Sequence, residues 1–528
     1  MGNFDAVIHM GEKIKFNDLI KDVDNLAAYI NSLGIKKGDT VTVFLPTMPH
    51  AFVAFYALNK IGVIGNIVHP MTSPEHLAEN LKTVGSKAIF ILDILSGKYV
   101  DALNSDGQPV IMCSNSDYAS LPVSIGVKAF EKKKTKDFGK IKNLVDYKSA
   151  LKVGSKCTAS ENKDGDLTAV LLHGGGTTGK SKTIMLSSEN INAIAKDLIY
   201  IDSEPHKPGD ESSLVVLPMF HAFGLAVAVH YPLSRGYSLI PMPEFSPAKA
   251  NKIIKKNKIG FLLGVPNMFS KMMDDEGFAG KHLKNLRLVF CGGDFLPERL
   301  VKQFNETVAS FGGTATLNRG YGLTEVSSVC CTNNKVVGRK ENSVGKAIDG
   351  VEIQIWDEDK NPLPANTEGE IVITGNTVMQ GYFNGSETIP DDGVYIDEKG
   401  LRWVMTGDLG HLDEDGFLFF TGRKKRMIVI SGYNVYPIDI ETSIIELDFV
   451  KEACAVQGYK KGKPCVKLCV VLEGKIDEDK AEKEIISFCK KNLSKFSCPR
   501  KVEFMDAFPR TKMGKVDFMK LSDKYEEE

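Results

Sequence analysis

Short apolar strands alternate with longer helical segments along most of this chain, and that alternation limits the possible folds more than any other feature. Apolar residues recur at helical spacing from Phe16 to Leu33, and the apolar strand Val41 to Leu45 follows. A second apolar helix is predicted near Pro49 to Lys60, before an apolar run from Val63 to Val68. Because this order suits parallel strands with helices on their faces, the pattern predicts an α/β fold with mostly parallel sheets.

The pattern changes in the second half of the chain. Apolar runs typical of buried strands recur at Leu214 to Leu217, Phe261 to Val265 and Leu286 to Phe290, whereas residues from Val351 to Thr374 form short alternating runs with Gly and Pro turns. That change predicts a small β-rich subdomain.

A boundary is predicted where the basic run that begins at Arg423 follows Gly422. A chain of 528 residues exceeds what one hydrophobic core usually supports. The last hundred or so residues carry their own strands and one clear helical pattern, from Asp477 to Leu493. We therefore expect a large multi-layer N-terminal domain over residues 1–422 and a small α+β C-terminal domain over residues 423–528.

Composition excludes several classes of function. The formal net charge is −1, which gives no field suited to binding nucleic acid or an anionic membrane as a whole. The ten cysteines form no CxxC pair and no zinc-spaced cluster, so neither a disulfide framework nor a structural metal is expected. The N-terminus lacks the pattern of a signal segment, and no apolar run is long enough to span a bilayer. We expect a cytoplasmic protein without stable membrane insertion.

A glycine-rich loop is the sharpest local feature. Residues Gly174 to Ser181 formally fit the P-loop pattern G-x-x-x-x-G-K-[ST]. A P-loop must open into a helix whose N-terminus meets the phosphates, yet an apolar β-branched segment, Thr183 to Leu186, follows here and predicts a strand. The sequence therefore disfavours a P-loop.

The composition of this loop still suits a polyphosphate. Glycines allow backbone N–H groups to approach an anion closely, and hydroxyl and lysine side chains add donors and positive charge. The alternative is a plain flexible loop between two strands. The candidate phosphate-binding residues are Gly174, Gly175, Gly176, Thr177, Thr178, Gly179, Lys180 and Lys182.

This loop resembles the phosphate loop of the acyl-adenylate-forming (AMP-binding) superfamily, and the chain is most similar to its AMP-forming acyl-CoA synthetases, or fatty acid-CoA ligases. The usual form there is Ser/Thr-Gly-Thr-Thr-Gly-x-Pro-Lys-Gly. In this chain Gly175 stands for the first hydroxyl residue, Ser181 for proline and Thr183 for the last glycine, while Lys182 keeps the lysine.

Further motifs of the superfamily follow in its order over nearly the whole chain. The segment Arg319 to Glu325 resembles its adenine and magnesium motif. The resemblance implies that Tyr321 stacks on the base beside Gly322, that Thr324 binds the α-phosphate, and that Glu325 together with Thr178 holds Mg²⁺. An aromatic face, a hydroxyl donor and a hard carboxylate oxygen suit these three tasks.

The remaining site residues are also implied by the resemblance. They are Gly292 and Gly293 in the turn against adenine, Asp408 on the ribose hydroxyls, Arg423 near the ribose, Lys425 at the hinge of a mobile C-terminal domain, Gly432 beside the thiol-bearing arm, Lys515 as the catalytic lysine and His221 by the carboxylate tunnel. Taken singly, such residues are more often ordinary turn or surface residues.

The resemblance implies an enzyme that uses ATP, Mg²⁺ and coenzyme A to adenylate a carboxylic acid, with a fatty acid as the expected substrate, and to pass the acyl group to a thiol. Two alternatives remain open at this point. One is a stand-alone adenylation enzyme that loads a separate carrier protein, and the other is a catalytically silent nucleotide-binding homologue. The sequence does not fix acyl chain length, the aliphatic or aromatic nature of the acid, or the oligomeric state.

Overall fold

The computed structural model describes residues 1–105, 107–131, 140–174, 182–198, 206–383, 388–389, 393–430, 433–510 and 515–522. The first third of the chain contains β1 (Asp5–His9), β2 (Glu12–Lys15), α1 (Phe16–Ser32), β3 (Thr40–Phe44), α2 (Pro49–Lys60), β4 (Ile64–Ile67), α3 (Pro74–Thr83), β5 (Ile89–Leu92), α4 (Asp93–Ser96), α5 (Val100–Asn104), β6 (Val110–Cys113), α6 (Leu121–Glu131), β7 (Leu144–Asp146), α7 (Tyr147–Gly154) and β8 (Thr168–His173).

The alternation continues in the middle of the chain. It contains β9 (Thr183–Ser187), α8 (Ser188–Asp197), β10 (Ser212–Val215), a π-helix (Phe223–His230), α9 (Tyr231–Arg235), β11 (Ser238–Pro241), α10 (Pro247–Lys256), β12 (Ile259–Gly264), α11 (Pro266–Asp274), β13 (Leu288–Cys291), α12 (Glu298–Ser310), β14 (Leu317–Tyr321), β15 (Cys331–Asn333) and β16 (Lys346–Ala347).

The last third of the chain is richer in strands. It contains β17 (Val351–Trp356), β18 (Gly369–Gly375), β19 (Gly381–Phe383), β20 (Thr388–Ile389), β21 (Val394–Ile396), β22 (Arg402–Leu412), β23 (Leu418–Arg423), β24 (Ile428–Ile430), β25 (Tyr433–Val435), α13 (Pro437–Ile444), β26 (Val450–Lys460), β27 (Lys463–Leu472), α14 (Glu478–Asn492) and β28 (Lys501–Phe504). Short 3₁₀-helices cover Gly97–Tyr99, Asn115–Tyr118, Lys281–Asn285, Thr324–Val326, Lys424–Arg426 and Phe518–Leu521.

Two nine-stranded sheets form the large body. The first has the order β20-β19-β9-β8-β4-β3-β5-β6-β7, and it is parallel from β8 to β7. The second has the order β16-β15-β14-β13-β12-β10-β11-β1-β2, and it is parallel from β14 to β1. One apolar core runs from Val43 of the first sheet through Phe52 of α2 to Phe261 of the second. Helices are therefore buried between the two sheets, which explains why α2 is apolar on all sides.

The remaining strands form a small β-rich sheet and a separate C-terminal unit. The third sheet has the order β17-β18-β22-β21, with β23 paired to β22. The C-terminal unit contains the sheet β26-β27-β28 and its own apolar core, in which Ile440 of α13 and Ile485 of α14 pack on Leu468. The predicted α/β fold class is confirmed, including the β-rich subdomain. Among the described residues, no helix is long and apolar enough to cross a membrane.

The structure also explains why the glycine-rich loop cannot be a P-loop. Strand β9 follows the loop and pairs antiparallel with β8, and α8 begins only at Ser188. The backbone N–H of Gly174 donates to the carbonyl of Lys182 at 2.9 Å, so both ends of the loop are held by the sheet. Residues 175–181 lie outside the described residues.

Candidate functional site

The candidate site begins where two neighbouring parallel strands of the second sheet end. Strand β13 ends at Cys291 and strand β14 at Tyr321, and ligands of such sheets commonly bind beyond the carboxyl ends of the strands. Gly292 is buried, and a side chain there would lie about 3.2 Å from the Phe223 ring. Gly293 has φ +81°, a backbone conformation that suits glycine. The backbone of the β13 turn therefore carries no side chain at Gly292 or Gly293.

The segment after β14 forms a tight, strained turn. A Cβ at Gly322 would lie 1.7 Å from the carbonyl oxygen of Ser328, so no larger residue fits without moving the backbone. Ser327 and Ser328 both have positive φ values, 59° and 131°, although neither is glycine. Such strain is retained when the surrounding structure enforces it, and it is common at functional sites. The turn fixes the 3₁₀-helix that carries Thr324 and Glu325. We call the region beyond the carboxyl ends of β13 and β14 the cleft.

A buried carboxylate connects this strand to the β-rich sheet. Asp408 lies on β22, and its side chain is only 6% exposed. The Tyr321 hydroxyl donates to Oδ2 of Asp408 at 2.8 Å, while Arg423 Nε lies 3.2 Å from Oδ1. Burial raises the pKa of Asp408, and Arg423 and Tyr321 partly oppose that rise because they stabilise the carboxylate. The two oxygens therefore face a tyrosine and an arginine at the rim of the cleft.

Lys515 extends from the C-terminal unit toward the same place. Its positive charge lowers the pKa of both Asp408 and His221. The carboxylate of Asp294, just after the β13 turn, acts in the direction of a higher pKa for Lys515. The residue remains exposed to the solvent of the cleft, but protein surrounds its ammonium group closely enough for desolvation to lower the pKa. The Arg423 guanidinium lowers that pKa further. The cleft thus concentrates positive charge opposite Asp408.

His221 lies within electrostatic reach of Lys515, beside aromatic side chains. Its ring contacts the Phe220 ring at a centroid distance of 4.7 Å, and Phe220 contacts His69 at 4.3 Å. Burial lowers the pKa of His221 to about 4, and His69 and Lys515 contribute to this shift. The imidazole is therefore neutral at neutral pH and can form a hydrogen bond without carrying charge.

Lys182 and Glu325 are linked by a tyrosine that the sequence analysis did not identify. The ammonium group of Lys182 lies 4.5 Å from the centroid of the Tyr382 ring, and the Tyr382 hydroxyl donates to Oε1 of Glu325 at 3.0 Å. Strand β19, which carries Tyr382, pairs with β9. Through this pairing, Tyr382 connects the neck of the glycine-rich loop, meaning the ends of β8 and β9, with the turn that follows β14.

A histidine at the neck of the loop also escaped the sequence analysis. Nε2 of His173 lies 2.8 Å from Oδ1 of Asn66, and Nδ1 lies 3.1 Å from the Thr183 hydroxyl. Burial lowers the pKa of His173 to about 4, so the ring is neutral at neutral pH. A neutral ring that donates from Nε2 accepts at Nδ1, which satisfies both contacts. Thr183 occupies a position that is glycine in the loop of the superfamily, and its hydroxyl is hydrogen-bonded to His173.

Residues of the basic run at the predicted hinge contact both the large body and the C-terminal unit. Arg423 contacts Asp408, and Lys424 lies 3.6 Å from Glu370, both in the large body. Arg426 instead pairs with Glu441 of α13 in the C-terminal unit. Lys425 lies between them and is exposed. Gly432 lies outside the described residues, as do Gly175, Gly176, Thr177, Thr178, Gly179 and Lys180 of the loop.

Comparisons with known proteins show the family of the chain. The family model of AMP-binding enzymes matches residues 2–383, and that of the AMP-binding enzyme C-terminal domain matches residues 439–515. The chain therefore belongs to the AMP-binding enzyme family, the superfamily of AMP-forming acid–CoA ligases.

Individual relatives are similar over almost their full length. The long-chain-fatty-acid–CoA ligase of Bacillus subtilis (strain 168) is 30% identical over 519 residues, which cover 97% of this chain and 90% of that protein. The 3-[(3aS,4S,7aS)-7a-methyl-1,5-dioxo-octahydro-1H-inden-4-yl]propanoyl:CoA ligase of Rhodococcus jostii (strain RHA1) is 28% identical, over 98% of this chain and 94% of that one. The structure of ATP-bound MatB from Rhodopseudomonas palustris has a TM-score of 0.84, with 24% identity over 99% of this chain and 96% of that chain.

We expect His173 to position the loop through its hydrogen bonds with Asn66 and Thr183. Replacing His173 by Phe keeps a flat ring but removes both hydrogen bonds. The free energy of unfolding should fall by about 2 kcal/mol, since buried polar groups lose their partner. The KM for ATP should rise about tenfold, because small misplacements of binding groups reduce affinity and rate strongly. Steady-state kinetics and denaturant unfolding measure the two effects.

The matched control is His230→Phe. His230 is also neutral at neutral pH, because burial lowers its pKa to about 4, and the half-buried ring contacts the Tyr56 hydroxyl and Oδ1 of Asn192, each at 3.0 Å. This variant should lose similar stability but keep the wild-type KM for ATP. Equal increases of KM in both variants would show that His173 acts only through general stability.

Proposed function

We propose that this protein is an AMP-forming acyl-CoA synthetase that activates a fatty acid with ATP and transfers the acyl group to coenzyme A. The observation that carries the proposal is the convergence of Lys515, Asp408 and His221 on one cleft. These residues come from the C-terminal unit, the β-rich sheet and the segment before the π-helix, and only the folded chain brings them together.

The reaction proceeds in two balanced steps. A carboxylate oxygen of the acid attacks the α-phosphorus of ATP, and pyrophosphate leaves with the electrons of the broken P–O bond. The coenzyme A thiol then loses its proton, and its sulfur attacks the acyl carbon of the adenylate and releases AMP. Neither step needs a protein nucleophile. Catalysis instead rests on positioning the reactants and neutralising the charge that develops on the phosphate oxygens.

The nucleotide binds in this proposal at the carboxyl ends of β13 and β14. Adenine stacks on Tyr321 and lies against Gly292 and Gly293, while the ribose hydroxyls bind Asp408 at the rim. The proposal is supported by the two partners of Asp408, Tyr321 and Arg423, because they hold an ionised acceptor in place. A carboxylate can accept a hydrogen bond from each of two neighbouring hydroxyl groups.

The triphosphate extends toward Thr324, Lys515 and the glycine-rich loop with Lys182. Mg²⁺ would bind Glu325 and, from the loop, Thr178, and it would neutralise part of the phosphate charge. Among the described residues no group of three or more His, Cys, Asp and Glu side chains could hold a metal ion. One carboxylate, from Glu325, and one hydroxyl, from Thr178, fit Mg²⁺, which in nucleotide sites relies on one or two carboxylates together with phosphate oxygens and water.

A fatty acid is the substrate that the surroundings of His221 favour. The π-helix that follows is buried from Gly224 to Val229, and the rings of Phe220 and Phe223 lie at its start. A neutral His221 can orient the acid carboxylate without forming a buried ion pair that would lower its nucleophilicity. The fatty-acid name of the Bacillus subtilis relative supports this substrate class.

A substrate panel tests the proposed function. AMP and pyrophosphate release from ATP should be measured with short, medium, long-chain and aromatic acids, each with and without coenzyme A. We expect AMP formation to require both coenzyme A and an aliphatic acid of medium or long chain. Pyrophosphate exchange without turnover of coenzyme A would instead favour a carrier-loading enzyme, and ATP binding without any turnover would favour a silent homologue.

The C-terminal unit rotates about Lys425 between the two steps in this proposal, with residues 1–422 as the adenylation domain and residues 423–528 as the mobile domain. The partners of the basic run support this pivot. Residues on one side of Lys425 contact the large body, and Arg426 on the other side contacts the C-terminal unit. A segment whose ends are anchored in different bodies can absorb a rotation between them.

Lys515→Ala separates the two steps. Adenylation should slow by about a hundredfold or more, because a preorganised charge at the α-phosphate is lost. Thioester formation from a preformed acyl-adenylate should stay close to wild type, because it does not use this lysine. Single-turnover assays of pyrophosphate release and of acyl-CoA formation measure the two steps.

Lys520→Ala is the control for this experiment. Lys520 is a lysine of the same unit with an exposed side chain, 3.5 Å from Asp517. Both steps should remain at wild-type rate in this variant. An unchanged adenylation rate in Lys515→Ala would refute the catalytic assignment.

A further inference from the structure

Arg426 is a residue of the basic run that packs inside the C-terminal unit. Its side chain is 21% exposed, and Nη2 pairs with Oε1 of Glu441 in α13. The same nitrogen donates to the carbonyl of Ala455 on β26 at 3.3 Å, and the backbone N–H of Ala455 donates to Oε1 of Glu441 at 2.8 Å. These three groups form a closed ring of contacts, which holds the planar guanidinium in one orientation.

The Arg426 guanidinium also lies over an aromatic ring close to Lys515 in the chain. Its central carbon is 5.1 Å from the centroid of the Phe518 ring, within the range of a cation–π contact. Phe518 begins a short 3₁₀-helix three residues after Lys515, and it packs against an apolar cluster that contains Cys454 and Leu521. Arg426 and this cluster together therefore hold the ring in place.

Lys515 is joined to this ring by a short stretch of paired backbone. Val516 forms a β-bridge with Arg510, and the backbone N–H of Asp517 donates to the carbonyl of Pro509 at 2.8 Å. Because these pairings fix the backbone between Lys515 and the ring, a displacement of the ring would be passed on to Lys515.

A carboxylate of the large body acts on both cations. Burial opposes the charged form of Arg426, but Glu441 and, from the large body, Asp294 stabilise it, and the pKa of Arg426 is raised. Asp294 also favours the charged form of Lys515. Arg426 and Lys515 are therefore both within electrostatic reach of the turn that follows β13. Arg426 also directly follows Lys425, the expected pivot of the C-terminal unit.

We propose that Arg426 is a positioning residue for Lys515, whose contact with Phe518 sets the place of that lysine relative to the pivot at Lys425. This inference rests on the proposed function, in which Lys515 serves adenylation. A charged group that acts on a reacting phosphate must be held accurately, since a small misplacement costs much of the rate. The alternative is an ion pair that only stabilises the C-terminal unit. The two roles differ in what Arg426 does once Lys515 is absent.

Arg426→Met tests this role, because it keeps an unbranched side chain but removes the charged fork. We expect adenylation to slow by about tenfold, because Lys515 loses its accurate placement. Thioester formation from a preformed acyl-adenylate should stay at the wild-type rate. In a Lys515→Ala background, Arg426→Met should cause no further loss of adenylation, since a residue that acts through Lys515 has no effect without it. Single-turnover assays of pyrophosphate release and of acyl-CoA formation measure both steps.

Arg287→Met is the matched control. Arg287 is 18% exposed and lies 3.1 Å from Glu211, whose side chain is as buried as that of Glu441, 13% exposed in each case. It directly precedes β13, at the end of the strand away from the cleft. The melting temperature should fall by a similar amount in both variants, because each leaves a buried carboxylate without its guanidinium. Both steps should keep their wild-type rates in Arg287→Met.

Phe518→Leu tests the same contact from the other side, and it serves if Arg426→Met does not fold. It keeps an apolar side chain in the cluster but removes the ring, and it should slow adenylation while sparing thioester formation. Wild-type adenylation in folded Arg426→Met or in Phe518→Leu would overturn the inference. So would an equal loss of both steps, or a further loss when Arg426→Met is added to Lys515→Ala. Wild-type adenylation in Lys515→Ala alone would instead refute the catalytic assignment on which the inference rests.

Discussion

The buried carboxylate of Asp408 is the interaction on which the arrangement of the cleft depends. Its two oxygens contact Tyr321 at the end of β14 and Arg423 at the end of β23, so one side chain ties the second sheet to the β-rich sheet. An ionised carboxylate is costly to bury unless it is paired and hydrogen-bonded. Burial does raise the pKa of Asp408, and its partners only partly offset this. The pairing therefore fixes where Tyr321 and Arg423 must lie.

The charges around Asp408 are balanced in a way that favours an anionic ligand. Arg423 and Lys515 face the same carboxylate, and Arg423 lowers the pKa of Lys515 because the two cations repel each other. A bound triphosphate would relieve this repulsion and would stabilise the charged form of the lysine. Asp294 and Asp408 attract the charged form of Lys515. In the proposed function, a bound triphosphate would add to this attraction and would link nucleotide binding to the position of the C-terminal unit.

The fold could be predicted from the sequence because each local pattern agrees with the tertiary structure. The predicted helix Pro49 to Lys60 is α2, and the strand Val41 to Leu45 corresponds to β3, Thr40–Phe44. Strand ends differ by one or two residues elsewhere, as with Leu286 to Phe290 and β13, Leu288–Cys291. Apolar runs do not specify which residue forms the last hydrogen bond of a sheet. The site residues, in contrast, were assigned by resemblance, and their roles remain proposals.

Features that depend on distant contacts were not predictable. His173 binds Asn66, which is 107 positions earlier in the chain, and no local pattern connects the two residues. Tyr382 reaches Glu325 only because β19 pairs with β9. The exposure of Leu121 and Ile125 on α6 was also not predictable, because an apolar segment normally predicts burial. In each case the sheet pairing or the packing partner, not the segment itself, determines what the side chain does.

The proposed adenylation requires that the carboxylate of the substrate acid attack the α-phosphorus of ATP. An aliphatic acid that carries ¹⁸O in both carboxylate oxygens, turned over with ATP and coenzyme A, reveals whether it does. We expect mass spectrometry to find one ¹⁸O atom in each AMP formed and none in pyrophosphate. AMP without the label, or label in inorganic phosphate, would contradict an acyl-adenylate intermediate and with it the proposed role of Lys515.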